Sequence, residues 1–192
     1  TALCSTCVSL LPYHYSYKEN NITALFPYAN DLIRTMLWEL KYKNNTLVAQ
    51  ELASHLYDQL LEDLSELETL KNFTQPILVP IPLTKERKRS RGYNQSELLC
   101  QEIVIKDMLS FKTCNDVLYK KSATLPQTTI ASRKDRLKNI CDCFEVRHTE
   151  KIENQNIIIV DDVTTTGATL HEAMKTLKKA GAKKVIAYTI AH

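Results

Sequence analysis

The apolar residues of this chain change their spacing several times, and these changes divide it into predicted helices and strands. Over residues 31–43 they recur at helical intervals, with Asn30 or Asp31 available as the N-cap residue. Helical spacing returns at residues 47–61 and can continue to Leu67, with an acidic face exposed to solvent. The sequence therefore predicts two consecutive helices near its start.

After these helices, segments with the pattern of a strand alternate with segments that have helical spacing. PILVPIPL, residues 76–83, is a short apolar run bounded by prolines and predicts a buried strand that ends in a loop. Residues 96–109 predict a helix, and short strands are predicted at 116–119 and 144–146. The polar and basic segment 120–143 has no clear period and predicts a long loop or lid. The inward-facing residues of the helix are predicted to be Leu98, Leu99, Ile103 and Met108.

The last part of the chain has the clearest pattern. A β-branched run at residues 157–160 predicts a strand, a helix follows over 170–177 with Gly181 just beyond its end, and residues 185–191 form a final strand. Strands that alternate with helices indicate βαβ units. We therefore expect an α/β fold with a central, mostly parallel sheet flanked by helices, preceded by an N-terminal helical extension.

Composition limits the class of protein. The chain has 192 residues, which suits one domain with a small appendage. Its 44% hydrophobic and 24% charged residues are ordinary for a globular protein. There is no apolar run of about 18 or more residues and no signal-peptide pattern. We expect a cytoplasmic protein without membrane insertion.

The positive charge is clustered although the net charge is only +3. KERKRSR covers residues 85–91, and RKDRLK covers residues 133–138. Such runs fit either a solvated surface or an anionic partner, which can be a phosphorylated small molecule or nucleic acid. Charge alone does not separate these alternatives.

The six cysteines do not form a secreted disulfide pattern. Cys4 and Cys7 form a CxxC pair, which supplies only two of the four ligands that a structural zinc ion needs. A partial zinc site and reduced thiols are both open interpretations. Cys100 and Cys114 are expected to pack as small hydrophobic residues.

The stretch IIIVDDVTTTGATL, residues 157–170, carries the strongest chemical signal. Asp161 and Asp162 follow the predicted strand, and ligands of open α/β sheets bind beyond the carboxyl ends of strands. The next turn opens a helix, so its backbone N–H groups form an anion site, above all for phosphate. Paired carboxylates beside it suit sugar hydroxyls, a Mg²⁺ shell or both, as in a 5-phosphorylated ribose. The turn residues are Thr164, Thr165, Thr166, Gly167, Ala168 and Thr169.

Other interpretations of this stretch are weaker. Thr166 can act as an N-cap residue, with the acidic residues merely favouring the helix dipole. A Walker A loop is excluded because the chain contains no GxxxxGK[ST] pattern, and a dinucleotide fingerprint is excluded because the three glycines are far apart.

VDDVTTTGAT resembles the phosphoribosyl-pyrophosphate motif of type I phosphoribosyltransferases. The resemblance implies that Asp161 and Asp162 hold the ribose hydroxyls and that residues 164–169 hold the 5-phosphate. Three further stretches, VPIPLTKERKRSRGYNQSELL, LPQTTIASRKDRLKNI and DLIRTMLWELKYK, resemble the ComF family of phosphoribosyltransferase-like proteins, which are associated with competence and DNA uptake. The match implies a type I phosphoribosyltransferase-like fold from about residue 31 to the end.

The family resemblance also implies roles for other residues. A pyrophosphate-binding loop is expected at Ile81, Pro82, Leu83 and Thr84. Residues that could reach the pyrophosphate or an acceptor are Arg87, Arg91, Asn94 and Gln95. The alternative for these is exposed arginines and an Asn or Ser that caps the next helix. The basic lid contributes Gln127, Arg133, Arg136 and Asn139, for which a structural role is equally open.

The resemblance also divides the chain. ALCSTCVSLLP resembles the second half of a four-cysteine zinc module whose first CxxC is absent, so residues 1–27 are interpreted as a remnant of a possible Zn²⁺ module. Residues 28–192 are interpreted as the phosphoribosyltransferase-like domain. Its basic lid or hood is expected at about residues 84–95 and 120–143.

Two functional hypotheses follow. The first is a phosphoribosyltransferase that uses phosphoribosyl pyrophosphate with Mg²⁺ and an unidentified acceptor. Purine-salvage enzymes resemble one another in carrying an aspartate where this chain has Thr165, which disfavours a hypoxanthine or guanine acceptor. The second is a non-catalytic competence protein that keeps the donor site and binds single-stranded DNA through its basic loops, with Tyr93 and Tyr119 for stacking. Either protein could work with a competence ATPase or helicase.

Overall fold

The computed structural model describes residues 11–12, 16–121 and 142–192. The strands are β1 (Tyr17–Glu19), β2 (Ile22–Phe26), β3 (Ile77–Pro80), β4 (Lys112–Thr113), β5 (Leu118–Lys120), β6 (Phe144–Val146), β7 (Asn156–Val163) and β8 (Lys184–Ala191). The helices are α1 (Asp31–Tyr42), α2 (Thr46–Lys71), α3 (Lys85–Arg91), α4 (Gln95–Lys106) and α5 (Ala168–Lys179).

A six-stranded sheet organises the chain in the order β1-β2-β8-β7-β3-β4. All neighbours in this sheet are parallel except β1 and β2, which are antiparallel. Val160 of β7 lies opposite Pro80 of β3 on one side and Tyr188 of β8 on the other. This register brings the carboxyl ends of the three strands to the same edge, and it confirms the predicted mostly parallel sheet.

Both faces of the sheet are covered, which explains the uninterrupted apolar run in β7. Ile158 and Val160 pack in the core that α1, α2 and α4 form, whereas Ile157 and Ile159 pack in the core that α5 forms. Because successive residues of a strand point to opposite faces, a strand buried on both sides is apolar at every position. The predicted helices on both faces are therefore confirmed.

The first two helices begin at side-chain caps. The Oδ1 atom of Asn30 accepts hydrogen bonds from the N–H groups of Leu32 and Ile33, so Asn30 rather than Asp31 is the N-cap of α1. Asn45 caps α2 in the same way. Helix α2 continues past Leu67 and ends at Asn72, which adopts a left-handed conformation with φ of 48°.

The structure corrects the predicted end of α4. Met108 was expected to face inward, but it is 73% exposed because the helix ends at Lys106. The carboxylate of Asp107 accepts hydrogen bonds from the N–H groups of Leu109 and Ser110 and so closes a turn instead of another helical turn. The strand predicted at 116–119 begins two residues later and ends one residue later in the structure, since β5 is Leu118–Lys120.

Three strands, β1, β2 and the two-residue β4, were not predicted at all. Residues 17–26 were assigned to the N-terminal segment 1–27, yet they contain β1 and β2. All five residues of β2 are buried, and β2 pairs with β8 in the central sheet. This part of the segment is therefore continuous with the sheet. Among the described residues, no helix is long and apolar enough to cross a membrane.

Candidate functional site

A cavity of about 250 Å³ lies at the carboxyl ends of β3 and β7. It is lined by Lys41, Ile81, Pro82, Leu83, Thr84, Arg87, Arg91, Gln95, Lys120, Asp161, Asp162, Val163 and Thr169. The structure thus brings most of the residues singled out in the sequence to one place. The predicted site residues that do not line the cavity are Asn94, Thr164, Thr165, Thr166, Gly167 and Ala168. We call this cavity the strand-end cavity.

The two aspartates lie within the last three residues of β7 rather than in the loop after it, since the strand extends to Val163. The Oδ1 atom of Asp161 accepts hydrogen bonds from the Ser96 hydroxyl at 3.0 Å and from the backbone N–H of Asp162 at 2.9 Å. The Oδ2 atom of Asp162 accepts one from the Gln95 amide at 3.2 Å and lies 3.0 Å from the Lys41 ammonium. Each carboxylate is therefore held in place through a single oxygen.

The other oxygen of each carboxylate is free for a ligand. Asp161 Oδ2 and Asp162 Oδ1 accept no hydrogen bond from the described residues. Both aspartates line the strand-end cavity. Two carboxylate oxygens that accept no hydrogen bond from the protein suit the vicinal hydroxyls of a ribose.

The same pair fits Mg²⁺ only together with a ligand. No group of three or more His, Cys, Asp or Glu side chains able to hold a metal ion occurs in residues 11–12, 16–121 or 142–192. Mg²⁺ is usually held by one or two carboxylates, water and the phosphates of a substrate. Asp161 and Asp162 therefore fit a magnesium ion that arrives with a phosphorylated ligand, and they do not make a protein-only metal site.

The protonation of Asp161 is unusual. Burial of its carboxyl group, and then the negative charge of Asp162 beside it, raise the pKa of Asp161 to about 7. The hydrogen bonds from the Asp162 N–H and the Ser96 hydroxyl, and the charge of Lys41, oppose this rise. A carboxyl group that is half ionised near neutral pH in the free protein gains from any ligand that donates hydrogen bonds to it.

The turn after β7 is built more tightly than the sequence indicated. The N–H of Thr164 donates to the carbonyl of Ala191 at 2.9 Å, so Thr164 extends the pairing of β7 with β8 and has no N–H left for an anion. Helix α5 begins at Ala168 with Gly167 as its N-cap, so the alternative in which Thr166 caps the helix is wrong. The Thr166 hydroxyl accepts only a long hydrogen bond of 3.4 Å from the N–H of Ala168.

Glycine is required at position 167 for two reasons. Its φ is +70°, a left-handed conformation that costs other residues energy. A Cβ atom there would lie 3.0 Å from Ile22 Cδ1 and 3.2 Å from His171 Nε2. The packing of the turn against β2 and α5 therefore adds to the backbone requirement.

The turn still presents donors at the N-terminus of α5. Among the described residues, no acceptor is bonded to the backbone N–H groups of Thr165, Thr166 or Gly167. Thr165 and Thr166 are exposed, and Thr169 of the first helical turn lines the strand-end cavity. Free N–H groups and the positive end of the helix dipole are features that suit a phosphate group, so phosphate binding at this turn stays a prediction.

The loop after β3 forms the opposite wall. The N–H of Ile81 donates to the carbonyl of Val160 at 2.9 Å, which holds the loop 81–84 against β7. Thr84 caps α3, from which Arg87 and Arg91 reach the cavity. The guanidinium of Arg91 donates to Gln95 Oε1 at 3.1 Å. Two arginines thus line the same cavity as the two aspartates.

Asn94 has a structural position. It is 2% exposed, its Oδ1 atom caps α4 by accepting the N–H of Ser96, and its amide donates to the carbonyl of Ile81 at 2.9 Å. Asn94 therefore holds α4 to the loop 81–84 and does not contact the cavity. Gln95, its neighbour, does line the cavity and orients Asp162.

Sequence reasoning missed three residues of the site: Lys41, Ser96 and Lys120. Lys41 continues the apolar stripe of α1 four residues after Leu37, and Ser96 interrupts the buried stripe of α4. A polar side chain at such a core-facing position is the signal that could have identified both. Lys120 ends β5 and carried no comparable signal.

Some predicted features fall outside the described residues. These are Cys4, Cys7, Gln127, Arg133, Arg136 and Asn139, together with most of the lid expected at 120–143. Cys100 is fully buried in the core and Cys114 packs at the edge of the second core, as expected for small hydrophobic residues.

The aromatic residues proposed for stacking are already engaged. Tyr93 donates its hydroxyl to the carbonyl of Leu40 and accepts the N–H of Asn44, and the guanidinium of Arg147 lies 4.3 Å from the ring centre of Tyr119. The rings exposed near the cavity belong instead to Trp38 and Tyr42 of α1, which are 49% and 58% exposed.

Comparison with known proteins agrees with this geometry. Residues 47–192 match the family model of the phosphoribosyl transferase domain. The chain is 26% identical over 197 residues to Competence protein F of Haemophilus influenzae, covering 98% of this chain and 83% of that protein. It is 31% identical over 162 residues to Competence protein ComFC of Bacillus subtilis (84% and 60% covered) and 30% identical over 150 residues to DNA utilization protein YhgH of Escherichia coli (78% and 63% covered). The chain thus spans less than two thirds of the last two.

Proposed function

The chain belongs to the phosphoribosyl transferase domain family, as a ComF-type member, and from this premise we propose that its strand-end cavity binds phosphoribosyl pyrophosphate together with Mg²⁺. The single observation that carries the proposal is the arrangement of Asp161 and Asp162. Each is fixed through one oxygen, the other accepts no hydrogen bond from the described residues, and both aspartates line the cavity near the N-terminus of α5. A ribose with a 5-phosphate has hydroxyls and phosphate to match both features.

Binding of the donor divides among three parts of the site. The free oxygens of Asp161 and Asp162 accept hydrogen bonds from the ribose hydroxyls. The N–H groups at positions 165–167 and the Thr169 hydroxyl bind the 5-phosphate. The loop 81–84 binds the pyrophosphate, and Arg87 and Arg91, which follow it in α3, donate hydrogen bonds to the pyrophosphate or to the acceptor.

Phosphoribosyl transfer requires no protein nucleophile. Pyrophosphate leaves C1 of the ribose as positive charge develops on the sugar, so catalysis depends on positioning and on cations that stabilise the leaving group. Mg²⁺, when it is bound with the donor, neutralises the negative charge on the pyrophosphate. Arg87, Arg91, Lys41 and Lys120 are the cationic side chains that line the cavity for the same task.

Thr165 disfavours a purine base of the hypoxanthine or guanine type as the acceptor. Enzymes of that type resemble one another in placing an aspartate two residues before the glycine of the turn, where it can donate a proton to the base. This chain has Thr165 there, which is neutral and exposed.

Thermal unfolding tests the donor site. Wild-type protein in Mg²⁺ should unfold several degrees higher when phosphoribosyl pyrophosphate is present at about 100 times its Kd, because a ligand that binds only the folded state stabilises it by about 2.7 kcal/mol. The Asp161→Asn/Asp162→Asn variant should show no shift. Asp58→Asn/Glu62→Gln, which changes two exposed acids of α2, is the matched control. No shift for the wild type, or an equal shift for the double aspartate variant, would exclude the proposal.

A role in competence and DNA uptake is the second part of the proposal, and single-stranded DNA is the candidate partner. The names of the relatives from Haemophilus influenzae, Bacillus subtilis and Escherichia coli support it. The structure adds a basic surface on α3, where Lys85, Arg87, Lys88 and Arg89 are all exposed. Exposed Trp38 and Tyr42 lie next to this surface and provide rings for stacking.

Salt dependence tests this second role. Binding of an oligothymidylate should weaken steeply with salt, and the slope should fall when Arg87, Lys88, Arg89 and Arg91 are neutralised. The matched control neutralises the same number of charges on the other side of the sheet, at Lys175, Lys178, Lys179 and Lys183. A slope that both sets reduce equally would mean non-specific attraction and would argue against a DNA site on α3.

A further inference from the structure

A second cavity of about 270 Å³ adjoins the strand-end cavity. It is lined by Lys41, Tyr42, Arg87, Ser90 and Arg91. Lys41, Arg87 and Arg91 line both cavities, so the two are neighbouring compartments separated by three cationic side chains. A ligand in the second cavity therefore lies beside whatever occupies the first.

The side chains that line the second cavity carry positive charge, and part of this charge has no negatively charged partner among the described residues. No Asp or Glu is among its lining residues. Lys41 is paired with Asp162, and Arg91 donates to the neutral amide of Gln95. Within the part of the chain that the structure describes, the guanidinium of Arg87 has no hydrogen-bond acceptor or ion-pair partner. Two guanidinium groups are thus available to an anion.

The remaining wall is aromatic. Tyr42 is 58% exposed, and the guanidinium carbon of Arg91 lies 5.3 Å from the centre of its ring. The ring of Trp38 lies 5.9 Å from that of Tyr42 at an angle of 46°. A half-exposed ring beside a planar guanidinium group offers flat surfaces on which another planar ring can stack.

We propose that this second cavity binds a planar aromatic ring that carries a carboxylate, and that such an aromatic acid is the class of acceptor used by the site. The role as acceptor rests on the proposed phosphoribosyl transfer, whereas the binding itself does not. Guanidinium groups match a carboxylate in two-point hydrogen bonds, and Tyr42 supplies the stacking surface. A neutral nucleobase would place no anion in the second cavity and would make no charge-assisted hydrogen bond there.

The reaction of such an acceptor is balanced without a further reagent. A nitrogen of the acceptor forms a bond to C1 of the ribose. The bond from C1 to the pyrophosphate oxygen breaks, and pyrophosphate leaves with the electron pair of that bond. A proton on the attacking nitrogen, where there is one, passes to solvent.

The binding can be measured through Trp38, which is the only tryptophan of the chain and lies next to Tyr42. Pyridine-3-carboxylate, its amide pyridine-3-carboxamide and adenine are the probes, each titrated with and without Mg²⁺ and phosphoribosyl pyrophosphate. We expect the acid to bind about tenfold or more tightly than the amide or adenine, as charge-assisted hydrogen bonds are about twice as strong as neutral ones. Equal affinities for acid and amide would overturn the proposal.

Two variants locate the binding, with calorimetry as the readout because the fluorescence of Trp38 itself responds to changes at Tyr42. Tyr42→Leu and Arg87→Gln should each weaken the binding of the acid by about fivefold or more, in line with about 1 kcal/mol for a lost stacking or charge-assisted contact. Tyr28→Leu, at an exposed tyrosine that lines neither cavity, should leave the affinity unchanged. Unchanged affinity in both Tyr42→Leu and Arg87→Gln would overturn the proposal.

The outcomes separate this inference from the proposed function. If the wild-type protein binds phosphoribosyl pyrophosphate with Mg²⁺ but not the acid, the proposed donor site stands and the proposed second site is overturned. Protein that binds the acid but not the donor supports the second site and overturns the proposed function. If oligothymidylate binds more tightly than the acid, and if Tyr42→Leu abolishes that binding, the second cavity is a site for a DNA strand and the inference is overturned.

Discussion

The ammonium of Lys41 lies 3.0 Å from Oδ2 of Asp162. Lys41 belongs to α1, near the start of the described chain, whereas Asp162 lies one residue before the end of the central strand β7. The pair is largely shielded from water, with side-chain exposures of 21% and 7%. The N-terminal helices are therefore part of the site, since one of them supplies the cation that offsets two adjacent carboxylates.

Removing that cation should destabilise the protein. Lys41→Met leaves Asp162 in a buried position where, among the described residues, Gln95 is its one remaining side-chain donor, so the free energy of unfolding should fall by about 1–3 kcal/mol. Urea denaturation at about pH 8 measures it. Lys41→Arg keeps the positive charge, so its free energy of unfolding should fall much less than that of Lys41→Met.

Lys43→Met is the matched control for this change. Lys43 lies two residues further along, over the exposed ring of Trp38, and should contribute less than about 0.5 kcal/mol. Equal losses in Lys41→Met and Lys43→Met would mean that the ion pair with Asp162 contributes nothing particular.

Asp161→Asn should stabilise the ligand-free protein at neutral and higher pH. The pKa of Asp161 is raised from 3.8 to about 7 on folding, so the folded state binds the extra proton between these values and stability falls as pH rises through them. Ionised Asp161 therefore lowers the free energy of unfolding above about pH 7, by an amount on the order of 4 kcal/mol. Urea unfolding should show this gain for Asp161→Asn at about pH 8 and little of it at about pH 4. A gain that is equal at both values would refute the raised pKa.

Donor binding should depend on pH through the same group. Ribose hydroxyls and Mg²⁺ both favour the ionised carboxylate, so the affinity for phosphoribosyl pyrophosphate should fall below about pH 7, approaching tenfold per unit for one proton. Calorimetry at several pH values measures this dependence. Because a phosphate group itself titrates near pH 6, the residual binding of Asp161→Asn supplies the correction for the ligand.

Gly167→Ala should cost more than the same change at Gly92. Both glycines have left-handed φ values, +70° and +80°, so alanine introduces about 1–2 kcal/mol of backbone strain at each. Only at position 167 does the new Cβ meet other atoms, at 3.0 Å from Ile22 and 3.2 Å from His171, whereas nothing lies within 4 Å at position 92. The difference in unfolding free energy between the two variants measures how tightly the turn after β7 packs against Ile22 and His171. Equal losses would show that Ile22 and His171 move aside freely.

The sheet and the acidic end of β7 were predictable because they are local patterns. Ile157 to Val160 are apolar at every position, which indicates burial on both faces, and the polar residues that follow mark the end of the strand. The partners of Asp161 and Asp162 were not predictable in this way. Lys41 and Ser96 come from helices 65 or more residues away in sequence, and only their core-facing positions distinguish them.

Strands β1 and β2 were missed for a different reason. β2 is a five-residue run, ITALF, whose burial depends on its pairing with β8 at the other end of the chain. Such a short apolar run does not specify a strand without its neighbours. Thr164 was assigned to phosphate for a related reason, since its bond to Ala191 is a contact between strands that local sequence does not reveal.

Isothermal titration of phosphoribosyl pyrophosphate in Mg²⁺ tests the central claim most directly, with wild-type protein and the Asp161→Ala/Asp162→Ala variant side by side. We predict a saturable, one-to-one isotherm for the wild type and at least about a hundredfold weaker binding for the variant, since two charge-assisted contacts to the ribose are lost. Circular dichroism and thermal unfolding of the same samples establish that the variant is folded. The absence of binding to folded wild-type protein, or equal affinity in the folded variant, would contradict the assignment of the strand-end cavity as a donor site.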